Sequence, residues 1–345
     1  MIRKVLIAVM AAMLLLSCNS SSSGIYKLGK RVVVSTESAK VVHLSPTDSL
    51  TGEYMNSVWG IHAILDSIAI LDLYESSHHF RALNLVNKQF TDFLMSGRGP
   101  GEIITAYFST ARREGEHSFI DIVAMNEDCL LTLDLEETLR QGRAAVIEKN
   151  NILPQASPSF LIGGDKILSE VFFDEDIYSM KLYDKTSLEI LQTVQLFGNE
   201  RYLADYQPLF ASTRRIKPDG TRISMSMACF DEINIYDIFG DNHLSISTAK
   251  KCLDERVVKE SIRNRSLFRM AHYKDQDVTD ERIYAIHCPD DNDSREGAVI
   301  HVFTWEGDLI GVYEMAESLI GIAISERENA LYGLSSEEVL YKYRF

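Results

Sequence analysis

A pair of short strand-like segments recurs six times along this chain of 345 residues. The first segment of each pair is apolar and follows a turn residue or a charge, with its second residue at Ser67, Ser118, Lys166, Thr221, Arg282 and Ala330. The second segment alternates apolar and polar residues, and it occupies 79–85, 130–135, 178–184, 233–237, 299–307 and 339–345. Short strands at nearly even spacing, bounded by turn residues, indicate an all-β array.

The length of the repeat selects the architecture. Roughly 50 residues is the length of a four-stranded propeller blade and is too long for a leucine-rich or hexapeptide solenoid. One small sheet cannot bury both of its faces, whereas six sheets stacked around an axis bury one another. We therefore predict a six-bladed β-propeller of four-stranded antiparallel blades, forming a single domain over residues 30–345. A two-sheet sandwich is the alternative.

The two ends of the chain predict how the ring closes. The chain stops at Phe345, in the third strand of its last unit, so that sheet lacks an outer strand. Near the other end, residues 30–35 (KRVVVS) and 40–44 (KVVHL) are strand-like and belong to no unit. We expect one of these two segments to complete the last blade, since this closes the ring and leaves no exposed sheet edge. Residues 66–102 then form the first complete blade and its exit corner.

The first residues predict export. Arg3 and Lys4 precede an apolar run over residues 5–16, which is too short to span a bilayer and is typical of a signal peptide. The sequence Leu-Leu-Ser-Cys that ends at Cys18 resembles the lipobox of bacterial lipoproteins. The resemblance implies a signal peptide over residues 1–17 and lipid attachment at Cys18. A signal peptide without lipidation is the alternative.

The segment after Cys18 predicts a tether. Residues 18–29 are rich in serine, and such a polar segment suits a flexible linker. We expect the protein to be lipid-anchored in the cell envelope without crossing the membrane. Asn19 is not the aspartate that favours inner-membrane retention in lipoproteins, so the resemblance implies the outer membrane. It leaves periplasmic and surface exposure open.

A second resemblance rests on residues 97–102, GRGPGE, between the first and second units. Together with the lipobox, this segment resembles the exported six-bladed propeller lipoproteins described as TolB-like or NHL-like. The resemblance extends over most of the chain through the repeats, and it implies binding or assembly without catalytic residues that could be carried over. Residues 199–268 depart from the repeat, which leaves the blade boundaries there open.

Composition excludes some classes of partner. The formal net charge is −15, and removal of Arg3 and Lys4 with the signal segment makes it −17. Such a balance argues against binding to nucleic acid.

The cysteines beyond Cys18 are Cys129, Cys229, Cys252 and Cys288, and they show neither CxxC nor metal-type spacing. We therefore expect mostly buried free thiols, and one disulfide is the alternative.

The glycine-rich segment is the first candidate site. Its glycines allow positive φ and close backbone approach, and Arg98 and Glu102 bring opposite charges to one turn. It lacks the lysine and hydroxyl residue of a phosphate loop, and Pro100 removes a hydrogen-bond donor. We favour a structural corner between blades, with Arg98 bonding neighbouring carbonyls. Contact of Arg98 and Glu102 with a ligand or partner is the alternative.

The second candidate site lies in an insertion over residues 199–218. Tyr202 and Tyr206 there precede Arg214 and Arg215, and together they could form a stacking surface for a sugar or peptide. Packing within the blades explains scattered aromatic residues equally well. A further insertion over residues 249–268 has nearly helical apolar periodicity and predicts an amphipathic helix.

Metal sites are weakly indicated. His62, His78, His79 and His117 form no compact motif, and His78 and His79 point to opposite sides of a strand. The acidic stretches 174–176 and 290–293 could hold calcium, but we favour solvated loops. We therefore predict no cofactor, with calcium as the alternative. No nucleophile elbow, SxxK pair or catalytic cysteine context is present.

These observations favour a binding protein over an enzyme. We expect a monomeric, membrane-anchored, non-enzymatic propeller lipoprotein that binds a protein, peptide or glycan on one face of its ring. The alternative is an exported propeller hydrolase or lyase that acts on carbohydrate or lactone, with residues from several blades meeting at the central channel.

Overall fold

The computed structural model describes residues 30–154, 156–171, 179–196, 211–240, 242–248, 272–288 and 297–345, and the structural statements below concern those residues. They form six sheets, each built on four antiparallel strands and packed against its neighbours in a ring. This is the six-bladed β-propeller predicted from the repeat, and it excludes the two-sheet sandwich. The signal segment, Cys18 and the tether lie outside the described residues.

The first three blades take their strands in chain order from the central channel to the rim. Blade 1 contains β4 (Val58–Leu65), β5 (Ile68–Leu73), β6 (His78–Asn84) and β7 (Phe90–Met95). Blade 2 contains β8 (Ala106–Glu114), β9 (His117–Ala124), β10 (Cys129–Asp134) and β11 (Val146–Asn151). Blade 3 contains β12 (Ala156–Ile162), β13 (Lys166–Val171), β14 (Ser179–Asp184) and β15 (Ile190–Gln195).

The last three blades also use strands from the start of the described chain. Blade 4 contains β16 (Ser212–Ile216), β17 (Arg222–Met227), β18 (Glu232–Asp237), β19 (His243–Ser247) and β1 (Lys30–Val33). Blade 5 contains β20 (Tyr273–Val278), β21 (Arg282–His287), β22 (Ala298–Thr304), β23 (Leu309–Met315) and β2 (Val41–Leu44). Blade 6 contains β24 (Leu319–Ser325), β25 (Ala330–Ser335), β26 (Leu340–Arg344) and β3 (Asp48–Leu50).

Helical structure is sparse in the described residues. A single α-helix, α1 (Leu135–Gln141), joins β10 to β11, and short 3-10 turns occupy Thr36–Ser38, Gly52–Tyr54 and Met125–Glu127. The α-helix begins where the Asp134 carboxylate accepts the Glu137 N–H at 2.8 Å. No helix in this part of the chain combines the length and the apolar character that crossing a bilayer requires.

The two recurring segments of the sequence are the two middle strands of each blade. Middle strands are covered by neighbouring blades on both faces, and β25 is therefore buried at every residue. Inner and outer strands are less covered, and β16, with the sequence STRRI, is only half-buried throughout. This difference explains why the repeat was readable only from the middle strands. The first blade predicted over residues 66–102 consequently starts one strand late, since its inner strand is β4.

The prediction that an N-terminal strand closes the ring is confirmed, but neither of the two expected segments closes it. The outer strand of the last blade is β3, which pairs with residues 340–342 of β26. Its sequence, Asp-Ser-Leu, is too short and polar to have been recognised as a strand. The two expected segments contain β1 and β2, which instead add fifth, parallel strands to the rims of blades 4 and 5.

All inner strands begin on the same face of the ring, which we call the upper face. The connections between blades, and those between the second and third strands of a blade, also lie on this face, because successive strands alternate in direction. The chain enters β1 at Lys30 on the opposite, lower face, since β1 runs parallel to β19. The upper face also contains the strand ends that flank four further segments, residues 172–178, 197–210, 249–271 and 289–296.

Several predictions fall on those four segments. Tyr202, Tyr206, the amphipathic helix over residues 249–268 and both acidic stretches lie outside the described residues, as does Cys252. Of the other cysteines, Cys129 and Cys229 are buried and Cys288 is half-buried. No disulfide joins any of these three described cysteines to another.

Candidate functional site

The inner strands are irregular near their upper ends. Five of the six carry a β-bulge there, between Val58 and Gly60, Phe108 and Thr110, Ala156 and Ser159, Tyr273 and Gln276, and Leu319 and Gly321. A bulge adds one residue to a strand and changes the direction of the side chains around it. In β4 the added residue is Trp59, which is 58% exposed. The bulge in β4 therefore turns Trp59 out of the blade packing near the upper end of the strand.

Blades 1 and 2 expose a group of large apolar side chains on the upper face. Trp59 and Tyr107 (50% exposed) are each the second residue of an inner strand. Tyr74 follows β5, Met95 ends β7, and Ile104 lies in the connection between the two blades; all three are exposed. We call these five residues the upper patch. Single exposed apolar residues are ordinary, and the lower face also exposes several, among them Val86 and Leu191. The upper patch differs in its residue types, because the exposed tryptophan and both exposed tyrosines of the described residues lie in it.

The glycine-rich corner forms one border of the upper patch. The Glu102 carboxylate folds back on the corner and accepts the Gly99 N–H at 2.7 Å, and a methyl group on Gly97 would overlap that carboxylate. Gly101 has a φ of +79°, which favours glycine. The corner is thus internally bonded, as the structural interpretation expected, but through Glu102 and not through Arg98. Arg98 is exposed and makes no hydrogen bond or ion pair within the described residues.

An acidic depression borders the upper patch on the side of blade 6. It has a volume of about 460 Å³ and is lined by Thr51, Gly52, Glu53, Asn56, Glu337 and Glu338. The Tyr74 hydroxyl donates a hydrogen bond to Glu338 at 2.9 Å, and this bond raises the pKa of Tyr74. The upper patch therefore lies between a cluster of carboxylates and the exposed Arg98 guanidinium.

The two other arginines proposed as contact residues lie in ion pairs along the inner strands. Arg214 Nη2 lies 2.6 Å from Glu170 Oε2 of blade 3. Arg215 lies between two carboxylates of blade 5, with Nη2 3.5 Å from Asp275 and Nε 3.9 Å from Asp277. Both arginine side chains are largely buried. Each therefore links its blade to a neighbour, and neither belongs to the exposed part of the upper face.

The two aspartates of β20 also bond to the next blade. Asp275 accepts the Ile322 N–H at 3.0 Å, and Asp277 accepts the Ile324 N–H at 2.7 Å. Burial raises the pKa of both carboxyls, while Arg215 and the backbone donors oppose the rise; the pKa of Asp277 reaches about 6. These two carboxylates therefore link three consecutive blades, since Arg215 belongs to blade 4 and the backbone donors belong to blade 6.

The histidines selected from the sequence have separate partners. His62 Nε2 lies 2.7 Å from Asp72 Oδ2, and its ring stacks on Phe108 of blade 2 with centroids 4.4 Å apart. His79 contacts the Ile103 carbonyl at 2.7 Å, whereas His78 contacts the Ser77 hydroxyl. These three histidines do not converge on a common point.

Two other groups of His, Asp and Glu do converge within the described residues. One contains Asp231, His272 and His287 on the upper face, and the other contains His117, Asp134 and Glu136 on the lower face. The first group was not recognised from the sequence, because its members come from three strand ends that are distant along the chain. The second includes His117, but its carboxylates were not identified as neighbours.

The upper patch was also missed from the sequence. Its residues are scattered over blades 1 and 2, and the bulges in β4 and β8 interrupt the alternation that would have revealed inner strands. One signal was available: Trp59 and Tyr107 each lie close before a recognised middle strand, so a search for the missing first strand would have placed both aromatics at its upper end.

Comparison with solved structures supports the fold. A member of the DUF4221 family from Bacteroides vulgatus is similar with a TM-score of 0.55 and 11% identity, over 88% of this chain and 97% of that chain. The β-propeller domain of Cps50 (Swd1) from Myceliophteria thermophila is similar with a TM-score of 0.50 and 10% identity, over 88% and 99%. No family model and no curated protein matches the sequence. At these identities the similarity shows the β-propeller fold alone.

Proposed function

We propose that this protein is a membrane-anchored propeller that binds a protein partner through the upper patch. The observation that carries the proposal is that the exposed tryptophan and both exposed tyrosines of the described residues, Trp59, Tyr74 and Tyr107, lie on the upper face of blades 1 and 2. Aromatic residues, methionine and arginine are enriched at protein interfaces. The patch and the neighbouring Arg98 offer these residue types together.

The composition of the upper patch favours a protein over a glycan. Met95 and Ile104 offer no side-chain hydrogen bonds, which sugar hydroxyls require when they are buried. Apolar side chains of a protein would pack against both residues without that cost. The carboxylates of the adjacent depression favour a partner with basic residues beside its apolar contact. A glycan ligand is the alternative.

The direction of the chain at Lys30 supports an anchored arrangement. Lys30 lies at the lower face, so a tether over residues 18–29 would join the propeller at that face. Lipid attachment at Cys18 would then hold the lower face towards the membrane and leave the upper patch directed away from it. The resemblance to exported TolB-like or NHL-like lipoproteins supports lipid anchoring, with the outer membrane as the expected location.

The environment of the channel carboxylates supports binding over hydrolysis. A hydrolase or lyase acting at the channel would need carboxylates available for proton transfer. On the inner strand β20, Asp275 and Asp277 are held by Arg215 and by backbone N–H groups, and Glu170 on the adjoining second strand of blade 3 is paired with Arg214. We therefore keep the enzyme as the second candidate.

Substitution of the aromatic residues tests the binding proposal. We expect Trp59→Ala and Tyr107→Ala each to weaken partner binding about 30-fold or more, because an interface hot spot contributes about 2 kcal/mol or more. The partner is identified by photo-crosslinking from residue 59 in intact cells, and its affinity for the purified variants is then measured. Phe239→Ala is the matched control, since Phe239 is an aromatic residue of similar exposure on the lower face.

Two results would contradict the binding proposal. One is an identified partner whose affinity is the same for wild type, Trp59→Ala and Tyr107→Ala. The other is selective binding of the protein to glycans on an array that is lost in Trp59→Ala, when no protein is crosslinked from residue 59.

A separate variant tests the anchor. We expect Cys18→Ser to move the protein from the membrane fraction to the soluble envelope fraction, because the acyl chains would no longer be attached. Fractionation and mass spectrometry of the N-terminal peptide check this result. A variant that stays in the membrane fraction with an unmodified N-terminus would reject lipid anchoring without affecting the binding proposal.

A further inference from the structure

Three side chains from blades 4 and 5 converge on the upper face, away from the upper patch. Asp231 lies between β17 and β18, His272 precedes β20, and His287 ends β21. One carboxylate oxygen and one ring nitrogen from each histidine all lie within 4.8 Å of one another. Two imidazoles and one carboxylate form a donor set that suits zinc and related divalent transition metals.

The contact between Asp231 and His287 has the spacing of two ligands of one ion. Asp231 Oδ1 and His287 Nε2 are 3.3 Å apart. Ligand atoms about 2.0–2.2 Å from a tetrahedral zinc ion lie roughly 3.3–3.5 Å from each other. The His287 side chain is 91% buried, and its Nε2 faces the Asp231 carboxylate. The two side chains can pair directly, and the same spacing also suits two ligands of one shared ion.

The backbone holds the three ligand-bearing segments together. The His272 N–H donates to the Ala228 carbonyl at 2.6 Å, and the His272 carbonyl accepts the Cys288 N–H at 2.7 Å. Ala228 begins the segment that carries Asp231, and Cys288 follows His287. The position of His272 relative to both other segments is therefore fixed by main-chain bonds.

A supporting layer surrounds the three side chains. The Thr248 hydroxyl lies 2.7 Å from both oxygens of Asp231, and its single proton leaves further carboxylate lone pairs available. The ring of His301 stacks on that of His287 with centroids 4.2 Å apart, and the Tyr273 hydroxyl contacts His301 Nδ1 at 3.3 Å. A hydrogen bond to a ligating carboxylate, such as the one from Thr248, orients the ligand in metal sites.

The second converging group lacks these properties. The His117 side chain is 65% exposed. The Asp134 carboxylate caps α1, and Glu136 accepts the Ser118 N–H at 2.9 Å. Both carboxylates are therefore engaged by backbone donors, and this group serves as a control.

We propose that Asp231, His272 and His287 bind one divalent transition metal ion, with Zn²⁺ as the favoured ion. Three protein ligands leave a fourth tetrahedral position for water or for a donor atom of a bound molecule. The site is independent of the upper patch, so either proposal can fail alone.

Metal titration of the purified full-length protein tests the site. After treatment with a chelator, we expect wild type to bind one equivalent of Zn²⁺ and, with Co²⁺, to show the visible absorption of a tetrahedral complex. His287→Ala and Asp231→Asn should lower the affinity about 100-fold or more. Thr248→Val should lower it about 10- to 100-fold, as loss of an orienting partner does. His117→Ala should leave it unchanged.

The control variants make the result decisive. If His287→Ala does not unfold cooperatively, the affinity of Asp231→Asn is used in its place, because this substitution keeps the shape of the side chain. The proposal is overturned if wild type binds no Zn²⁺ at micromolar concentration. It is also overturned if Asp231→Asn binds one equivalent as tightly as wild type, or if only His117→Ala weakens binding.

Discussion

Single charged residues hold the inner strands of this propeller together. Arg215 lies between Asp275 and Asp277, and both carboxylates also bond to the backbone of β24. The two aspartates thereby join three consecutive blades beside the channel. Replacing Arg215 with Met would leave two buried carboxylates without their cation, and removing one partner of a buried ion pair costs about 3–5 kcal/mol.

The raised pKa of Asp277 predicts a specific pH dependence. Its pKa is about 6 in the folded protein and about 3.9 in the unfolded chain, so the folded state binds the proton more tightly. The stability contributed by this protonation is complete below about pH 4 and is lost as pH rises through 6. Between pH 4 and 7, wild type should therefore lose up to about 3 kcal/mol relative to Asp277→Asn, which has no such proton.

Urea unfolding of both proteins at several pH values measures this difference. Asp308→Asn is the control, because Asp308 is exposed and its side chain has no bonding partner in the described structure. If the stability difference between wild type and Asp277→Asn is the same at pH 4 and pH 7, Asp277 does not titrate as described.

Residue roles were the least predictable part of this molecule. Arg214 and Arg215 were expected at a partner surface because the sequence shows two adjacent cations near aromatic residues. Their neutralising carboxylates are at least 44 positions away along the chain, at Glu170, Asp275 and Asp277, and no local pattern reveals such a pair. Glu102, in contrast, could be placed in a corner because its partners lie within the same six residues.

At the scale of elements, the three N-terminal strands have unequal roles. Only β3 completes a blade, whereas β1 and β2 add to sheets that already have four strands. Thr47 extends the closure, since its N–H donates to the Lys342 carbonyl at 2.7 Å. Ring closure therefore depends on a segment of a few residues that precedes blade 1.

Two truncated chains test this assignment. A chain that starts at Ser45 keeps β3, and one that starts at Gly52 lacks it; both lack β1 and β2. We expect the longer chain to unfold cooperatively at a reduced temperature, because it loses the packing of Leu44 and Val42. The shorter chain should not unfold cooperatively, since blade 6 would have a free edge.

Calorimetry and size-exclusion chromatography of the truncated chains give the answer. Equal unfolding temperatures for the chains that start at Ser45 and Gly52 would show that β3 does not close the ring.

Elements were predictable where burial imposes a pattern. The middle strands of all six blades were recognised because both of their faces are covered, which demands apolar residues. The inner strands β16 and β20 carry STRRI and YKDQDV, since one edge faces the channel and charges can be paired there. Bulges further disturb the alternation in β20 and in four other inner strands, so sequence periodicity could not define them.

At the scale of the whole molecule, the two faces of the ring differ in what they offer. The upper face carries the upper patch, the acidic depression and the group formed by Asp231, His272 and His287. The lower face carries the entry of the chain at Lys30, the group formed by His117, Asp134 and Glu136, and exposed side chains such as Phe239. The fold and its six repeats were predictable from spacing, whereas this division was not, because it requires strand directions that only the assembled ring defines.

The order in which the N-terminal strands join the rim has a mechanical consequence. Tension on an anchored N-terminus would reach β1 first, then β2 and finally β3. Because β1 runs from the lower to the upper face, a pull away from the lower face acts along the strand. It therefore loads all the hydrogen bonds between β1 and β19 at the same time. Blades 4 and 5 can each lose a fifth strand and keep four. If the N-terminus is anchored, the protein would therefore lengthen in two steps under load before its ring opens at blade 6.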